Sequence, residues 1–437
     1  MKKFIVIVLL MMATIYSQNK VLTLEESIQI GLKNSKDLII SKSKTRYADA
    51  KISEVTSQML PQLQFSASYA RLSNIPAFEV KVPFFSTPIK IQDPILNNYN
   101  LKLSLIQPVF TGFRLSSLRT ASEYNYDASE LDYNAAVNNY ALHIQEAFWN
   151  LYNAQKIVDL IKEQKVSVNN HLVDTKNFMD NGLATMNDVL KLQVQLSNIE
   201  LKLIDAENNR DLARINFNRA IGYDLNSDTQ IKTYSIIPEK NDFSLDELIQ
   251  EAKLKRNEVN SLQKRVLASD EAITAANANW FPNIFLFGDI NYSNPNQRIM
   301  PQKNEFTDTW DVGVSLNWSL WNWGYTSSQS NQAKELKLQT ETSLLQLKDA
   351  IEIEVTSEYL NYNKSLKKLE VAKTNVEQAE ENYRLTNDKY NQQLATSSDL
   401  IDAETYLLEA KTNLTSALVG YQLAKVRLDK SIGKKIY

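Results

Sequence analysis

Cysteine is missing from all 437 residues, which excludes disulfides, thiolate metal sites, cysteine nucleophiles and the acylated N-terminal cysteine of a lipoprotein. Glycine is scarce as well, with 9 residues against a usual share of roughly 7%. A chain with so few tight-turn residues is expected to be rich in long helices. The 10 prolines are unevenly placed, with none between Pro108 and Pro238 and none after Pro301. Interior proline breaks the helical hydrogen-bond ladder, so these two proline-free blocks suit uninterrupted helices. The formal net charge is −3 and no basic block stands out, which argues against nucleic-acid binding. The two histidines, His143 and His171, share one helical pattern, are too far apart to hold a metal together and take a structural reading. No nucleophile–base pair, metal cluster or phosphate loop is present, so neither an enzyme nor a cofactor is expected.

The N-terminus reads MKKFIVIVLLMMATIYSQ, two lysines ahead of an apolar core from Phe4 to Ala13. This is the pattern of a signal peptide, residues 1–17, cleaved near Ser17-Gln18. No other stretch reaches the roughly 18 apolar residues of a membrane-spanning helix. The protein is therefore read as exported, without a helical anchor.

What the chain does contain is a duplication. NGLATMNDVL, from Asn181 to Leu190, returns as QQLATSSDLI, from Gln392 to Ile401, at an offset of 211 residues (399 − 188). The same offset pairs Ala184-Thr185 with Ala395-Thr396 and Ile221-Gly222 with Ile432-Gly433. Upstream, Leu24 pairs with Leu245 and Pro61 with Pro282 at an offset of 221 (282 − 61), so the first half holds ten extra residues (221 − 211) between Pro61 and Asp188. Such a repeat decides the architecture. It divides the chain into a first repeat over 18–221, a non-helical connector over 222–243, and a second repeat over 244–437.

Each repeat opens with a helix, capped at Thr23-Leu24-Glu25-Glu26 in the first, where Gly31 to Ser35 reads as a kink. After each of Pro61 and Pro282 the period changes to two. Leu63, Phe65, Ala67 and Tyr69 form one apolar face, followed by Tyr99, Leu101, Leu103 and Leu105. The second half gives Ile284, Leu286, Gly288 and Ile290, then Trp310, Val312, Val314, Leu316 and Trp318. These are two strand pairs, 62–107 and 283–320. The proline-rich linkers inside them, 71–97 and 293–308, read as exposed loops, and the ten extra residues are assigned to the first.

Long helical hairpins follow. Residues 114–180 would span roughly 100 Å as one helix. Around each turn, near 181–187 and 391–398, apolar residues recur at 3-4 spacing: Val189, Leu192, Leu196, Ile199, Leu203 and Ala206, repeated as Leu400, Ala403, Leu407, Ala410, Leu414 and Ala417. That is a narrow coiled-coil seam. Because the helices spend their apolar residues on seams, they are poor cover for the apolar face of the strands. Four strands of about the length a tilted membrane strand needs, with Phe110, Phe113, Trp280, Phe281, Trp321 and Trp323 at their ends, point to part of a membrane barrel. Its open edges require several chains for closure.

The order helix, strand pair, long helix, LAT-type turn and helix, all duplicated, resembles the TolC-type outer-membrane efflux proteins over essentially the whole mature chain. The carrying motifs are QPVFTG (Gln107 to Gly112), GLATMNDVL (Gly182 to Leu190) and DLIDAE (Asp399 to Glu404). The resemblance implies a mainly α fold with a membrane β-barrel portion: a homotrimer, twelve strands in the outer membrane, and coiled-coil hairpins forming a periplasmic tunnel. It implies a passive exit duct of a Gram-negative tripartite efflux system, with a periplasmic adaptor and an inner-membrane pump as partners. It places adaptor docking on Gly182, Leu183, Ala184, Thr185, Leu394, Ala395 and Thr396. Gln393 departs from the family's glycine in the second turn. The resemblance also places an entrance constriction at Asp399 and Asp402, and the placement of Asp188 and Tyr390 beside the two turns, on opposite hairpins, reads as a latch. Ala395 stands where an arginine commonly joins such latches, and Lys191 stands where the second half has Asp402. Phe110, Phe113, Trp280, Trp321 and Trp323 are the expected membrane-interface aromatics. Two alternatives stay open at this level: a duct for ATP-driven protein or peptide secretion, and an exported coiled-coil structural protein with no pore.

Overall fold

The computed structural model describes residues 21–234, 237 and 243–437. The signal-peptide assignment lies outside the described residues, as do most of 235–242 within the connector.

The described chain begins with helices α1 (Leu24–Asn34) and α2 (Lys36–Ser57). Strands β1 (Gln62–Arg71), β2 (Phe78–Val80), β3 (Ile89–Gln92) and β4 (Asn97–Thr111) follow, then the long hairpin α3 (Arg114–Asp180) and α4 (Met186–Ile221). The second half repeats this order with α5 (Leu245–Lys255), α6 (Asn257–Asn277), β5 (Asn283–Asn294), β6 (Thr307–Asn317), α7 (Tyr325–Asn391) and α8 (Ser397–Ser431).

The first-turn signal works at the start of α1 but not at its counterpart, where Ser244 makes no side-chain cap to α5. Thr23 caps α1 in a reciprocal box with Glu26. The kink expected over Gly31 to Ser35 is a helix break at Ser35, whose ψ of 120° is extended. Gly31 stays helical, and it is small for a packing reason: a Cβ there would meet the Ile144 side chain at 2.5 Å.

The chain forms two compact units. One contains residues 44–130 and 261–344 and carries the sheet. Its strands run in the order β1-β4-β5-β6, all antiparallel. Gln62 faces Ile106 in the first pair and Asn283 faces Asn317 in the second. Residue 62 matches 283 at the offset 221, and 106 matches 317 at the offset 211. The registers therefore place the ten extra residues between β1 and β4.

Two details correct the sequence reading of this unit. The 71–97 linker is not wholly loop, because β2 and β3 pair within it as a short hairpin. Its strands are only three and four residues long, too short for the alternation to be read. The second strand also continues past 107 to Thr111. It passes Pro108, which has no N–H to give the ladder, by means of a bulge against Phe285 and Ile284.

The other unit is formed by residues up to Ser43, Leu131–Asn260 and Leu345–Tyr437. Its largest core gathers Ile144, Phe148, Leu151, Phe217 and Ile221 with Leu22, whose backbone bridges to Ile231. Further along, Val158, Ile161, Val168 and Leu172 of α3 bury against Val189, Leu192 and Ile199 of α4. The α7–α8 hairpin has a smaller seam, with Val376, Ala379 and Ala410 buried.

Candidate functional site

The two hairpin turns are built identically. Met179 and Phe178 carbonyls accept from the Gly182 and Leu183 N–H groups at 2.9 and 2.8 Å, and Tyr390 and Lys389 carbonyls accept from Gln393 and Leu394 at 2.9 and 2.8 Å. Both are Schellman closures, which need a left-handed residue at the first position past the helix. Gly182 supplies it at φ 73°, and Gln393 adopts it at φ 62° despite its Cβ. Leu183 and Leu394 are left exposed at the tips, with Ala184 and Ala395 half-buried behind them.

Each following helix starts with the same box. Thr185 caps α4 with Asp188, and Thr396 caps α8 with Asp399. The Thr185 hydroxyl and N–H both donate to Asp188, which, against slight burial, holds its carboxyl below the usual range. Thr396 does the same for Asp399. Asp188 also accepts from the Ser397 hydroxyl at 3.0 Å, so it ties the first turn to the start of α8.

The structure thus gives Asp188 and Asp399 a structural task at the helix starts. Asp402 is exposed, one helical turn further on, and lines an open groove with Lys191, whose Nζ donates to Ser398 at 2.9 Å. Tyr390 is buried, and its hydroxyl bonds Thr175 while its ring packs edge-on to His171 and Phe178. Within the chain, Asp188 and Tyr390 do not meet.

In the sheet unit the apolar face is continuous across all four strands. Phe65, Leu103, Ile290 and Trp310 form one cross-strand row. Val312, Val314 and Leu316 extend it along β6, and most of this face is exposed. The opposite face is mixed: Ile106, Phe285 and Phe287 lie on it beside the Lys102–Asp289 pair at 2.8 Å and an ion pair between Arg298 and Asp311. Strands β1 and β6 are edges with no partner in the described chain.

At the helix-proximal end of this sheet, Phe110, Phe113 and Phe281 pack edge to face, with centroids 5.3 to 6.4 Å apart. Trp280, Trp321 and Trp323 are exposed. The turns into the long helices hold two successive left-handed residues each, Gly112-Phe113 and Trp323-Gly324. Gly112 is obligatory, since a Cβ would lie 2.3 Å from the Ala278 carbonyl oxygen. Sequence reasoning missed the other end. There Tyr69, Tyr99, Phe306 and Tyr292 form a chain of ring contacts at 4.9, 5.6 and 5.0 Å. Tyr69 and Tyr99 were visible as the aromatic ends of two apolar faces, but Phe306 joins them only through the register.

A duplicated hairpin-and-strand chain with an exposed apolar sheet defines a class, the outer-membrane channels with helical hairpins. Comparisons with known proteins agree. The outer membrane efflux protein family model matches residues 28–223 and 248–434. The chain is 23% identical over 318 residues to outer membrane protein TolC of Vibrio cholerae, covering 72% of each chain. It is 23% identical over 397 residues to TolC of Escherichia coli, covering 88% of this chain and 76% of that one. Among solved structures it matches the CmeC outer membrane channel of Campylobacter jejuni with a TM-score of 0.76 at 17% identity, covering 95% of this chain and 86% of that one. The chain belongs to the outer membrane efflux protein family. It is a transport protein of the Gram-negative outer membrane, not an enzyme, with a large periplasmic helical part.

Proposed function

We propose that the chain is the exit duct of a tripartite efflux system, closed as a homotrimer and conducting passively what an inner-membrane pump delivers through a periplasmic adaptor. One observation carries the reading: the chain presents both halves of an unfilled contact. Helix α8 lies on the first hairpin through Ile401 and Leu408, with Thr405 accepting from Gln195. The 211-offset counterparts of those residues on α4 are Leu190, Ser197 and Val194. They are exposed, and Leu201 and Ile204 continue the stripe.

The place where α8 sits is repeated too. On the first hairpin it is the groove of Asn153, Ala154, Ile157, Lys202 and Asp205 beside Leu408. Its counterpart on the second hairpin, lined by Lys364, Ser365, Lys368, Asn413 and Ser416, is an open groove of about 970 Å³. A stripe at one side and its matching groove at the other form a head-to-tail interface, which closes into a ring of copies. The open sheet edges ask for the same closure, because unpaired strand edges are not tolerated in lipid. Three copies give twelve strands.

In that assembly the tips Gly182, Leu183, Ala184 and Thr185, with Leu394, Ala395 and Thr396, are the surface offered to the adaptor. Asp402 is the carboxylate left free to bias the entrance toward cations, since Asp188 and Asp399 are occupied at helix starts. Phe110, Phe113, Trp280, Trp321 and Trp323 form the inner aromatic girdle, and Tyr69, Tyr99, Tyr292 and Phe306 the outer one. The eleven residue steps from Tyr99 to Phe110 (110 − 99) cover ~36 Å of strand, or ~25 Å of membrane at the usual tilt.

Val194→Asp with Leu201→Asp tests the interface. Native mass spectrometry in detergent should show the parent protein as trimers and the double variant as dissociated chains. A parent protein recovered without detergent, or one that gives no conductance in planar bilayers, would overturn the duct.

A further inference from the structure

A buried polar cluster between the hairpins of one chain is used by neither the turns nor the sheet. His171 of α3 places Nε2 3.3 Å from Glu404 Oε1 on α8 and 3.2 Å from the Tyr383 hydroxyl on α7. Ser167 donates to the same Glu404 oxygen at 2.7 Å. Glu404 is 4% exposed. Three atoms of the cluster, Glu404 Oε2, Gln164 Oε1 and His171 Nδ1, have no hydrogen-bond partner. A cavity of about 150 Å³ adjoins Gln164, Ser167, Tyr383 and Glu404.

A carboxylate buried this deeply is costly unless a charge or several donors match it. Among the described residues the only base within hydrogen-bond distance of Glu404 is His171. The other titratable groups around the pair are Glu163 on α3, Tyr383, Tyr390 and Glu380 on α7, and Lys411 on α8, which is paired to Glu380 at 3.2 Å. Helix α4 contributes no side chain to the cavity lining.

The duplication shows that this cluster is not a property of the scaffold. The 211-offset counterparts of Gln164, Ser167, His171, Tyr383 and Glu404 are Asn375, Gln378, Asn382, Leu172 and Gln193, and none of these titrates. The chemistry has been placed at one contact only, between α3 and the second hairpin.

We propose that His171 and Glu404 form a proton-binding joint that holds the second hairpin to α3 firmly when His171 is protonated and loosens it as that proton leaves. Protonated, imidazolium and carboxylate attract each other in a site shielded from water, where such attraction is larger than at the surface. Deprotonated, His171 offers Glu404 at most one uncharged N–H beside the Ser167 hydroxyl, and the Glu404 charge stays buried with one oxygen unpartnered. Glu404 lies two helical turns from the start of α8, so the joint acts close to the hairpin ends. It lies within one chain and does not depend on the number of copies or on conduction.

The absence of cysteine makes the test direct. Spin labels at Val173 on α3 and Tyr406 on α8, both exposed, report the hairpin separation in the full-length protein in detergent, diluted with unlabelled chains. On raising the pH from about 5 to about 8, the range in which histidine side chains as a class change charge, the distance should lengthen and its distribution broaden. His171→Gln and Glu404→Gln should each abolish that response, and His143→Gln should leave it intact. If His171→Gln does not fold, the response should still vanish when Glu404→Gln is added to His143→Gln. A pH-independent distance in the parent protein, or a response that survives Glu404→Gln, would overturn the joint.

Discussion

The two hairpins share a backbone plan and differ in what fills it. At four seam positions the first hairpin buries Ile161, Val168, Leu192 and Ile199, where the second buries Ala372, Ala379, Ala403 and Ala410. Two further positions of the second hairpin carry tyrosines. Tyr383 and Tyr390 replace Leu172 and Met179 of the first half, and their hydroxyls reach His171, Ser167 and Thr175 on α3. The first hairpin is therefore held by its own apolar seam. The second is held more by polar contacts to its neighbour. A coiled-coil period leaves both solutions open, because spacing sets which residues face inward and not how large they are.

The sharpest way to break the comparison is to exchange the seams. Ile199→Ala converts a first-hairpin layer into a second-hairpin one. It should cost about 2–5 kcal/mol, as deletion of a buried aliphatic side chain does. The reverse change, Ala410→Ile, should cost about 1–3 kcal/mol by overpacking. Both are read as lowered thermal midpoints of the helical signal in detergent. If Ala410→Ile were neutral, the alanine seam would not be close-packed and the contrast would fail.

A smaller effect separates the turns. A side chain at φ 73° carries a backbone penalty of roughly 1 kcal/mol, and no atom would touch a Cβ at Gly182 within 4 Å. Gly182→Ala should therefore lose about that amount from conformation alone. Gln393→Gly should recover a similar amount, because Gln393 already bears the penalty at φ 62°. Equal hydrogen-exchange protection at Leu183 and Leu394 in the two variants would bring the turns to the same state.

Much of this was written in the chain. The period of two after Pro61 and Pro282, the 3-4 seams and the glycine at 182 all depend on neighbours in sequence, and each reports its own geometry. Contacts set by register or by three separate helices did not show. Phe306 reaches Tyr99 and Tyr292 only once β4 and β5 are paired. His171 and Glu404 are 233 residues apart (404 − 171), and no pattern along either helix marks them as partners. The left-handed Phe113 and Trp323 were also hidden. Each sits beside a glycine, and nothing in the sequence says that two consecutive residues share the conformation. For Asp188 and Asp399 the residue type suggested a pore constriction and a helix start equally well, and the capping boxes show the second role directly.

The last distinction between the halves is electrostatic and has a defined sign. Asp188 and Asp399 are both held below the usual carboxylate value of 3.8, chiefly by the hydroxyls of Thr185 and Thr396 and then by the same residues' N–H groups. A lowered value in the folded chain means the capping contribution is complete above the ordinary carboxylate range. It is lost as pH falls through the lower folded value. The helix starts should therefore fray only below about pH 3.8, seen as faster exchange of the Asp188 and Asp399 amides. The two tips should not respond alike to substitution. Asp188 is bonded to Ser397 at the start of α8, and Asp399 has no bond to the first hairpin among those described. Asp188→Asn should thus raise exchange several-fold at both helix starts, and Asp399→Asn only at its own. Equal, purely local effects would show that the Ser397 contact couples nothing.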